Sequence, residues 1–193
     1  MVRYDMTMLA KQVSSIKKRF SLGGTEVLQA YSMRFDGHLL NRGFWLYVWQ
    51  IKGPQSHYVY VGRTGDSSSP HASSPFKRIG QHLDPGPNAN GNALGKQLQR
   101  AGVKYKECSF EMVAVGPIWP EQSDFEAHKP IRDETAALER AVADHLRQRG
   151  YVVLGTHPRT GTPDQAVLHQ IRKLLDSKFP VVAQPTNVPH PRA

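Results

Sequence analysis

The chain has 193 residues, with 25 lysines and arginines against 16 aspartates and glutamates, for a formal net charge of +9. This length fits one domain with additions, and the charge favours a polyanionic partner, nucleic acid first, over a merely solubilising excess. The single cysteine, Cys108, excludes a disulfide framework or a cysteine-based zinc site within one chain and fits a reducing, cytoplasmic compartment. No stretch approaches the roughly 18 apolar residues of a membrane span, and the first residues lack the apolar core of a secretory signal.

The first forty residues predict two helices. Apolar residues recur at helical spacing over residues 7–20, with lysines and an arginine on the polar sides. A glycine pair then interrupts the pattern, and Thr25 is a suitable cap for a second helix over residues 25–35. The basic face of the first helix could contact phosphates or lie outward while the helix packs on the domain, and we favour packing.

Two apolar runs then predict a β-hairpin. Residues 44–51 (FWLYVWQI) are almost wholly apolar and aromatic, which is typical of a buried strand. Turn residues at 52–55 interrupt the run, and residues 58–62 form a second strand pattern. If Ile51 lies opposite Tyr58, the side chains of two further tyrosines, Tyr47 and Tyr60, point to one face as diagonal neighbours.

The register of the two strands decides whether the side chains of Tyr47 and Tyr60 lie on the same face of the sheet. A slip of one residue would place Tyr47 and Tyr60 on opposite faces of the sheet. Two tyrosines in adjacent strands are also compatible with ordinary positions at the edge of a core. The polar, serine-rich insertion over residues 65–73 that follows is either a mobile flap at a site or a plain surface loop.

The next predicted helix covers residues 75–83 and is well marked at both ends. Ser74 is a favourable N-cap, and Pro75 suits the first helical position. The sequence Asp-Pro-Gly-Pro at 84–87 ends the helix.

Two polar side chains of this helix lie on one face. Arg78 and His82 are four residues apart, beside an apolar stripe formed by Phe76, Ile79 and Leu83. A solvated surface pair is the simpler explanation. The functional alternative is a phosphate clamp beside a proton carrier.

The remaining elements complete a small α/β protein of the α+β kind. They are a short basic helix (93–101), a third strand (106–115) that ends at Gly116-Pro117, an irregular acidic segment (119–130), a helix (132–149), a closing strand (151–154) and an amphipathic helix (163–179). We therefore expect a mostly antiparallel sheet of three to four strands, flanked by helices, with helical additions at both ends. From Pro180 the proline-rich tail is expected to be extended or disordered.

Three ordered motifs carry a family resemblance. Trp45-Leu46-Tyr47 is followed after twelve residues by Tyr60-Val61-Gly62 and then by Arg78-x-x-x-His82. This order resembles that of the GIY-YIG nuclease superfamily, although Trp-Leu-Tyr stands where Gly-Ile-Tyr is usual. The resemblance covers residues 43–157 and makes 1–42 an N-terminal extension, 158–179 a C-terminal helix and 180–193 a tail.

A glutamate on the helix at 132–149 is the fourth element of the pattern. Asp133 and Glu134 lie in the first turn, where the helix dipole favours negative charge, but Glu139 lies mid-helix at the border of the apolar face. An ordinary boundary glutamate would pair with Arg140 or Arg147. The resemblance instead implies that Glu139 is a metal ligand, with Glu134 in reserve.

The resemblance implies metal-dependent hydrolysis of DNA phosphodiester bonds. Glu139 would hold Mg²⁺ or Mn²⁺, Arg78 would clamp the scissile phosphate, Tyr47 would act as general base, His82 would take up its proton and Tyr60 would orient water or phosphate. The expected additional substrate contacts are Arg63, Lys77, Lys96, Thr156 and His157. Thr156 and His157 stand where the family often has an asparagine, so either could replace it.

Alternative functions remain at this point. A basic nucleic-acid-binding module could keep the fold and lose cleavage, and a purely structural or protein-binding domain would require evenly scattered basic charge. RNA is a possible substrate besides DNA. We expect no membrane contact, and neither the oligomeric state nor the biological role follows from the sequence.

Overall fold

The chain divides into two units, Met1–Arg34 and Phe35–Ala193, and all helices and strands of the described residues lie in the second. The computed structural model describes residues 28–53, 57–66, 71–86, 89, 91–157 and 161–182.

The helix predicted over residues 7–20 lies outside that part of the chain. The second predicted helix is wrong over residues 28–35, which carry no helix. The side chains of Leu28 and Tyr31 are exposed, and a short helix gains little stability without burying one face.

The core of the second unit is a four-stranded mixed sheet. Its strands are β1 (Phe44–Lys52), β2 (His57–Arg63), β3 (Ser109–Trp119) and β4 (Val152–Leu154). The spatial order is β3-β1-β2-β4; β1 is antiparallel to both neighbours and β4 is parallel to β2. The predicted small, mostly antiparallel sheet flanked by helices is confirmed.

In the described part of the chain, four α-helices accompany the sheet. They are α1 (Pro75–Leu83), α2 (Ala93–Arg100), α3 (Phe125–Gln148) and α4 (Gln165–Asp176). The side chain of Ser74 accepts a hydrogen bond from the backbone N–H of Lys77, and Pro75 occupies the first turn, as predicted for α1. Within the described residues, no helix combines the length and apolar character needed to cross a bilayer.

The two faces of the sheet bury different sets of side chains because neighbouring residues of a strand point to opposite faces. On one face, α3 and α4 pack on β1 and β2 through Leu46, Val48, Val61, Leu138, Val142, Leu146, Ile171 and Leu175. On the other face, α1 and α2 cover Tyr47, Trp49, Ile51, Ile79, Leu94 and Leu98. The helix predicted as a C-terminal addition therefore packs in the same core as the sheet.

The third strand differs from its prediction at both ends. Tyr105–Glu107 is a short 3-10 helix, so β3 begins at Ser109. The strand continues through Gly116-Pro117 to Trp119, because the β1–β3 register shifts between Phe44 and Leu46 and a proline is tolerated at such an irregularity.

Helix α3 begins at Phe125, seven residues before its predicted start, and contains Pro130. The segment was predicted to be irregular because it is acidic and polar, and an interior proline costs a helix about 3 kcal/mol. Two contacts oppose that cost. The side chain of Asp124 accepts from the backbone N–H of Ala127, and the buried His128 packs its ring on those of Phe44 and Phe125.

The C-terminal part of the structure is also tied to the domain. Helix α4 buries Leu168, Ile171 and Leu175, whereas Leu174 is exposed. Beyond it, the backbone N–H of Val182 donates to the carbonyl oxygen of Arg149. Residues 180–182 therefore stay against the domain, and 183–193 of the predicted tail lie outside the described residues.

Candidate active site

The strand register places the two tyrosines as predicted. Ile51 pairs with Tyr58, and Tyr47 lies opposite Gly62, two residues from Tyr60. Tyr47 and Tyr60 are therefore diagonal neighbours on the face covered by α1 and α2.

A cavity of about 170 Å³ lies at the end of this hairpin, and the main predicted site residues all line it. Tyr47 comes from β1, Tyr60 from β2, Arg78 and His82 from α1, and Glu139 from α3. The structure thus brings together five side chains from four elements that span over ninety residues of the sequence.

His82 is buried at the centre of this group, with only 3% of its surface exposed. Its ring lies 5.5 Å from that of Tyr47 and 5.4 Å from that of Tyr60, centroid to centroid. Its Nε2 is 2.6 Å from the Tyr47 hydroxyl. Of the two interpretations of Arg78 and His82, the solvated surface pair is wrong, because α1 buries His82 against the tyrosines of the sheet.

Burial governs the ionisation of these groups. Burial, together with the charge of Arg78, lowers the pKa of His82 to about 4, so the ring is neutral at pH 7. The pKa of His82 therefore lies below the range near neutrality in which a histidine ordinarily titrates. Burial also raises the pKa of Tyr60 to about 12 and raises that of Tyr47, against the opposing effect of Arg78. The Tyr47 hydroxyl can donate to neutral His82 or to the Arg63 carbonyl oxygen, 3.1 Å away.

Two ion pairs cross the cavity. The guanidinium of Arg78 pairs with the carboxylate of Asp66, and Arg63 Nε lies 3.0 Å from Glu139 Oε2. Each arginine also has one buried nitrogen, Arg63 Nη1 and Arg78 Nε, without an acceptor in the described part of the chain. A buried donor without an acceptor costs about 1–3 kcal/mol, so both nitrogens favour an oxyanion.

Glu139 does not make the contacts of an ordinary boundary glutamate. Arg147 pairs with Asp144, and Arg140 donates to the Gly161 carbonyl oxygen, so neither engages Glu139. Burial raises the pKa of Glu139, and Arg63 opposes that rise.

The reserve ligand has a structural role. The carboxylate of Glu134 accepts a hydrogen bond of 2.6 Å from the backbone N–H of Asp164. Glu134 does not line the cavity around His82 but an adjoining one of about 760 Å³, which shares Arg63, Asp66 and Glu139 with it.

The additional substrate contacts predicted from the sequence divide in two. Arg63 lines the cavity, whereas Lys77 and Lys96 are exposed on α1 and α2 outside it. Thr156 is exposed, and His157 lies 3.3 Å from the Val61 carbonyl oxygen through Nε2. Neither takes the place of the family asparagine in the cavity.

Sequence reasoning missed Asp66. This residue follows β2 by three positions and lines the cavity with the residues above. An acidic residue shortly after the strand that carries Tyr60 and Arg63 was the available signal. It passed unnoticed because the segment was interpreted as the start of a polar loop.

The donor set fits a cation that is held largely by water and substrate. Within the described residues, no group of three or more His, Cys, Asp or Glu side chains could hold a metal. Glu139 and Asp66 are the two carboxylates of the cavity. Mg²⁺ is commonly held by one or two carboxylates, with waters and phosphates in its other positions. Closed protein sites such as structural zinc require more ligands.

Gly62 is required by the close approach of Tyr47. A Cβ atom added at Gly62 would lie 2.7 Å from Cζ and Oη of the tyrosine. We expect Gly62→Ala to displace the ring and to lower the free energy of unfolding by about 1–3 kcal/mol in urea titrations. Gly80→Ala is the matched control, because nothing lies within 4 Å of its added Cβ. Gly80→Ala should stabilise α1 by about 0.5–1 kcal/mol. Equal effects of the two changes would contradict the close approach of Tyr47 to Gly62.

The depressed pKa of His82 predicts a loss of stability in acid. The unfolded chain takes up this proton near pH 6.5, whereas the folded chain does so only near pH 4. The free energy of unfolding should therefore fall by about 3 kcal/mol as the pH falls through that interval, and the full contribution is present above it. His82→Gln should flatten this part of the stability profile, measured by urea unfolding at each pH. An unchanged slope would mean that His82 is accessible to protons in the folded chain.

Comparison with known proteins adds no family. No protein-family model, curated protein or solved structure matches the chain. The resemblance to GIY-YIG nucleases stays a prediction from the motifs, and the functional argument depends on the residues of the cavity.

Proposed function

We propose that the chain is a metal-dependent endonuclease that hydrolyses phosphodiester bonds in DNA, as a divergent member of the GIY-YIG nuclease superfamily. The observation that supports this function is the convergence of Tyr47, Tyr60, Arg78, His82 and Glu139 on one cavity. Phosphodiester hydrolysis needs a base for the attacking water, positive charge for the phosphate and assistance to the leaving oxygen. The five side chains cover these needs.

Tyr47 and His82 form a proton relay in this mechanism. The raised pKa of Tyr47 disfavours a free tyrosinate, so the hydroxyl must lose its proton as it accepts one from water. Neutral His82, with Nε2 2.6 Å from that hydroxyl, is the acceptor within reach. The negative charge of a phosphate bound beside Arg78 would raise the low pKa of His82 and so favour its protonated form. Tyr60 packs its ring against His82 from the neighbouring strand and presents a second hydroxyl group for water or phosphate.

The two arginines bind the phosphate. Arg78 and Arg63 line the cavity, and each has a guanidinium nitrogen without an acceptor in the described part of the chain. The guanidinium fork matches the spacing of phosphate oxygens and keeps its charge at any working pH. Both side chains therefore neutralise the charge that develops on the phosphate.

Glu139 is the residue that would hold the metal. Arg63 contacts one of its carboxylate oxygens, Oε2, and the other, Oε1, would be the ligand of the cation. When bound there, Mg²⁺ or Mn²⁺ would supply Lewis acidity to the phosphate. The adjoining cavity beside Glu139 provides room for the nucleic acid next to the cleaved bond.

Two observations favour the alternative of a non-catalytic, basic nucleic-acid-binding module. Both carboxylates of the cavity are paired with arginines, which compete with a cation for them. In addition, neither Thr156 nor His157 lines the cavity where the family asparagine would be expected.

The deciding experiment is nicking of supercoiled plasmid by the purified chain in Mg²⁺, in Mn²⁺ and in EDTA, with a structured RNA assayed in parallel. We expect DNA to be nicked only when metal is present. Binding without nicking, with a steep dependence on salt, would support the binding module. RNA cleavage alone would move the substrate from DNA to RNA, and absence of both binding and cleavage would contradict both functions.

A further inference from the structure

We propose that Asp66 is an internal counter-anion of Arg78, which the substrate phosphate displaces when it binds, so that this carboxylate sets the affinity of the site for its substrate. The inference rests on the proposed function, because that function makes a phosphodiester the incoming anion. It adds a residue that none of the sequence motifs contains.

The ion pair between Asp66 and Arg78 is the first observation behind this proposal. The carboxylate of Asp66 forms an ion pair with Nη2 of Arg78 inside the cavity. A guanidinium cannot lose its proton, so a largely buried arginine needs an anionic partner whether or not substrate is bound. Carboxylate and phosphate oxygens compete for the same donors, and Asp66 therefore occupies a donor that the phosphate needs.

The exposure of the two partners indicates how the exchange occurs. The side chain of Arg78 is 14% exposed and that of Asp66 is 42% exposed. Asp66 thus reaches the arginine from the solvent side and can return to water without the large cost of moving a buried charge. Arg78 also donates to Gln81 Oε1 at 3.3 Å, and this hydrogen bond keeps the guanidinium oriented while its anion changes.

The second ion pair of the cavity lacks these properties. Arg63 and Glu139 are 17% and 18% exposed, so both partners are withdrawn from solvent. Arg63 is the last residue of β2 and Glu139 lies in the middle of α3, so two regular elements hold this pair in place. Asp66 instead lies beyond the end of β2. Of the two pairs, the one between Asp66 and Arg78 is therefore the exchangeable one.

The exchange also changes the charge of the cavity. Two arginines and two carboxylates cancel, and His82 is neutral at pH 7. When Asp66 withdraws, the remaining side chains carry one net positive charge. In the metal-free cavity, a phosphodiester with one negative charge restores neutrality, so the exchange matches the charge of a single backbone phosphate.

The test measures DNA binding in EDTA, where no cleavage occurs, by fluorescence anisotropy of a short fluorescein-labelled duplex. Asp66→Asn keeps the shape of the side chain and removes its charge. We expect it to raise the affinity for the duplex by at least about fivefold, the lower end of typical coupling between two binding events. In an Arg78→Met background, the same change should have no effect.

Glu107→Gln is the matched control, because it also removes one negative charge but from an exposed pair with Lys104. It should change the affinity far less than Asp66→Asn does. Equal gains for the two variants, no gain for Asp66→Asn, or a gain that persists without Arg78 would each overturn the proposal. Asp66→Ser provides a second variant if the asparagine chain does not fold, with thermal melting as the check.

These outcomes separate the exchange from the nuclease function. One outcome is that the chain does not nick plasmid, yet Asp66→Asn raises its affinity for DNA and this gain disappears in the Arg78→Met background. That outcome would support the exchange of anions and contradict the nuclease function. The other outcome is that the chain nicks plasmid but Asp66→Asn does not raise its affinity for DNA. That outcome would support the nuclease function and contradict the exchange of anions.

Discussion

Replacing Glu139 with glutamine is expected to abolish metal-dependent nicking while the chain still folds and still binds DNA. The amide oxygen can accept from Arg63 Nε as the carboxylate does, so the buried arginine keeps a partner. The amide is a poor ligand for a hard cation, and the site loses the several kcal/mol that a metal contributes to the transition state. We expect single-turnover nicking to slow by at least about 10³-fold.

Glu134→Gln is the matched control for this change. Both glutamates lie on α3, but the carboxylate of Glu134 accepts from the backbone N–H of Asp164 and does not line the cavity around His82. This variant should keep the rate of the parent chain. Loss of nicking in Glu134→Gln with full activity in Glu139→Gln would exchange the roles of the two residues.

Replacing Arg78 with alanine is expected to slow cleavage by about 10²–10⁴-fold, the range found when a group that stabilises transition-state charge is removed. The change leaves Asp66 half-exposed and free to be hydrated, so the cost in stability should be small. Arg78→Lys should recover only part of the rate, because an ammonium keeps the charge but lacks the fork of donors. Single-turnover rates at saturating DNA separate this effect from binding.

The neighbouring Lys77 is the control for charge alone. Its side chain is exposed on α1 and does not line the cavity. Lys77→Ala should weaken binding slightly and reduce its salt dependence, with the single-turnover rate unchanged. If Lys77→Ala slowed cleavage as much as Arg78→Ala does, Arg78 would contribute only general positive charge.

The hairpin was predictable because local rules decide it: the apolar run of β1 and the turn residues after it follow from the period of the strands and their break. Its register was a hypothesis, because a slip of one residue was equally compatible with the sequence, and the structure shows the pairing of Ile51 with Tyr58 that the hypothesis named. The position of Tyr47 next to Tyr60 depends on that register alone. The two tyrosines of the candidate site could therefore be placed from the sequence once the register was assumed.

The ionic contacts of the cavity were not predictable, because they join residues far apart in the sequence. Arg63 and Glu139 are separated by 76 positions, and nothing near either residue indicates the other. The burial of His82 was missed for a related reason. A search for apolar periodicity counts only apolar residues, whereas α1 buries a histidine against two tyrosines.

The early start of α3 shows how tertiary contacts override a local signal. Pro130 argues against a helix at that point, yet capping by Asp124 and packing of His128 extend the helix past it. Local propensity is a weak guide where side chains on both sides of a residue are buried.

The length of α3 between two of its residues, His128 and Glu139, fixes the position of Glu139 in the site. His128 Nε2 lies 3.1 Å from the Gly65 carbonyl oxygen, and Glu139, eleven positions later, meets Arg63. Eleven residues make about three turns, so both side chains leave the helix on the same side and touch the two ends of one short segment. Inserting or deleting one residue between them would rotate Glu139 by about 100° away from Arg63. Among relatives of this chain, the spacing between these two positions should stay constant while the loops around the site vary in length.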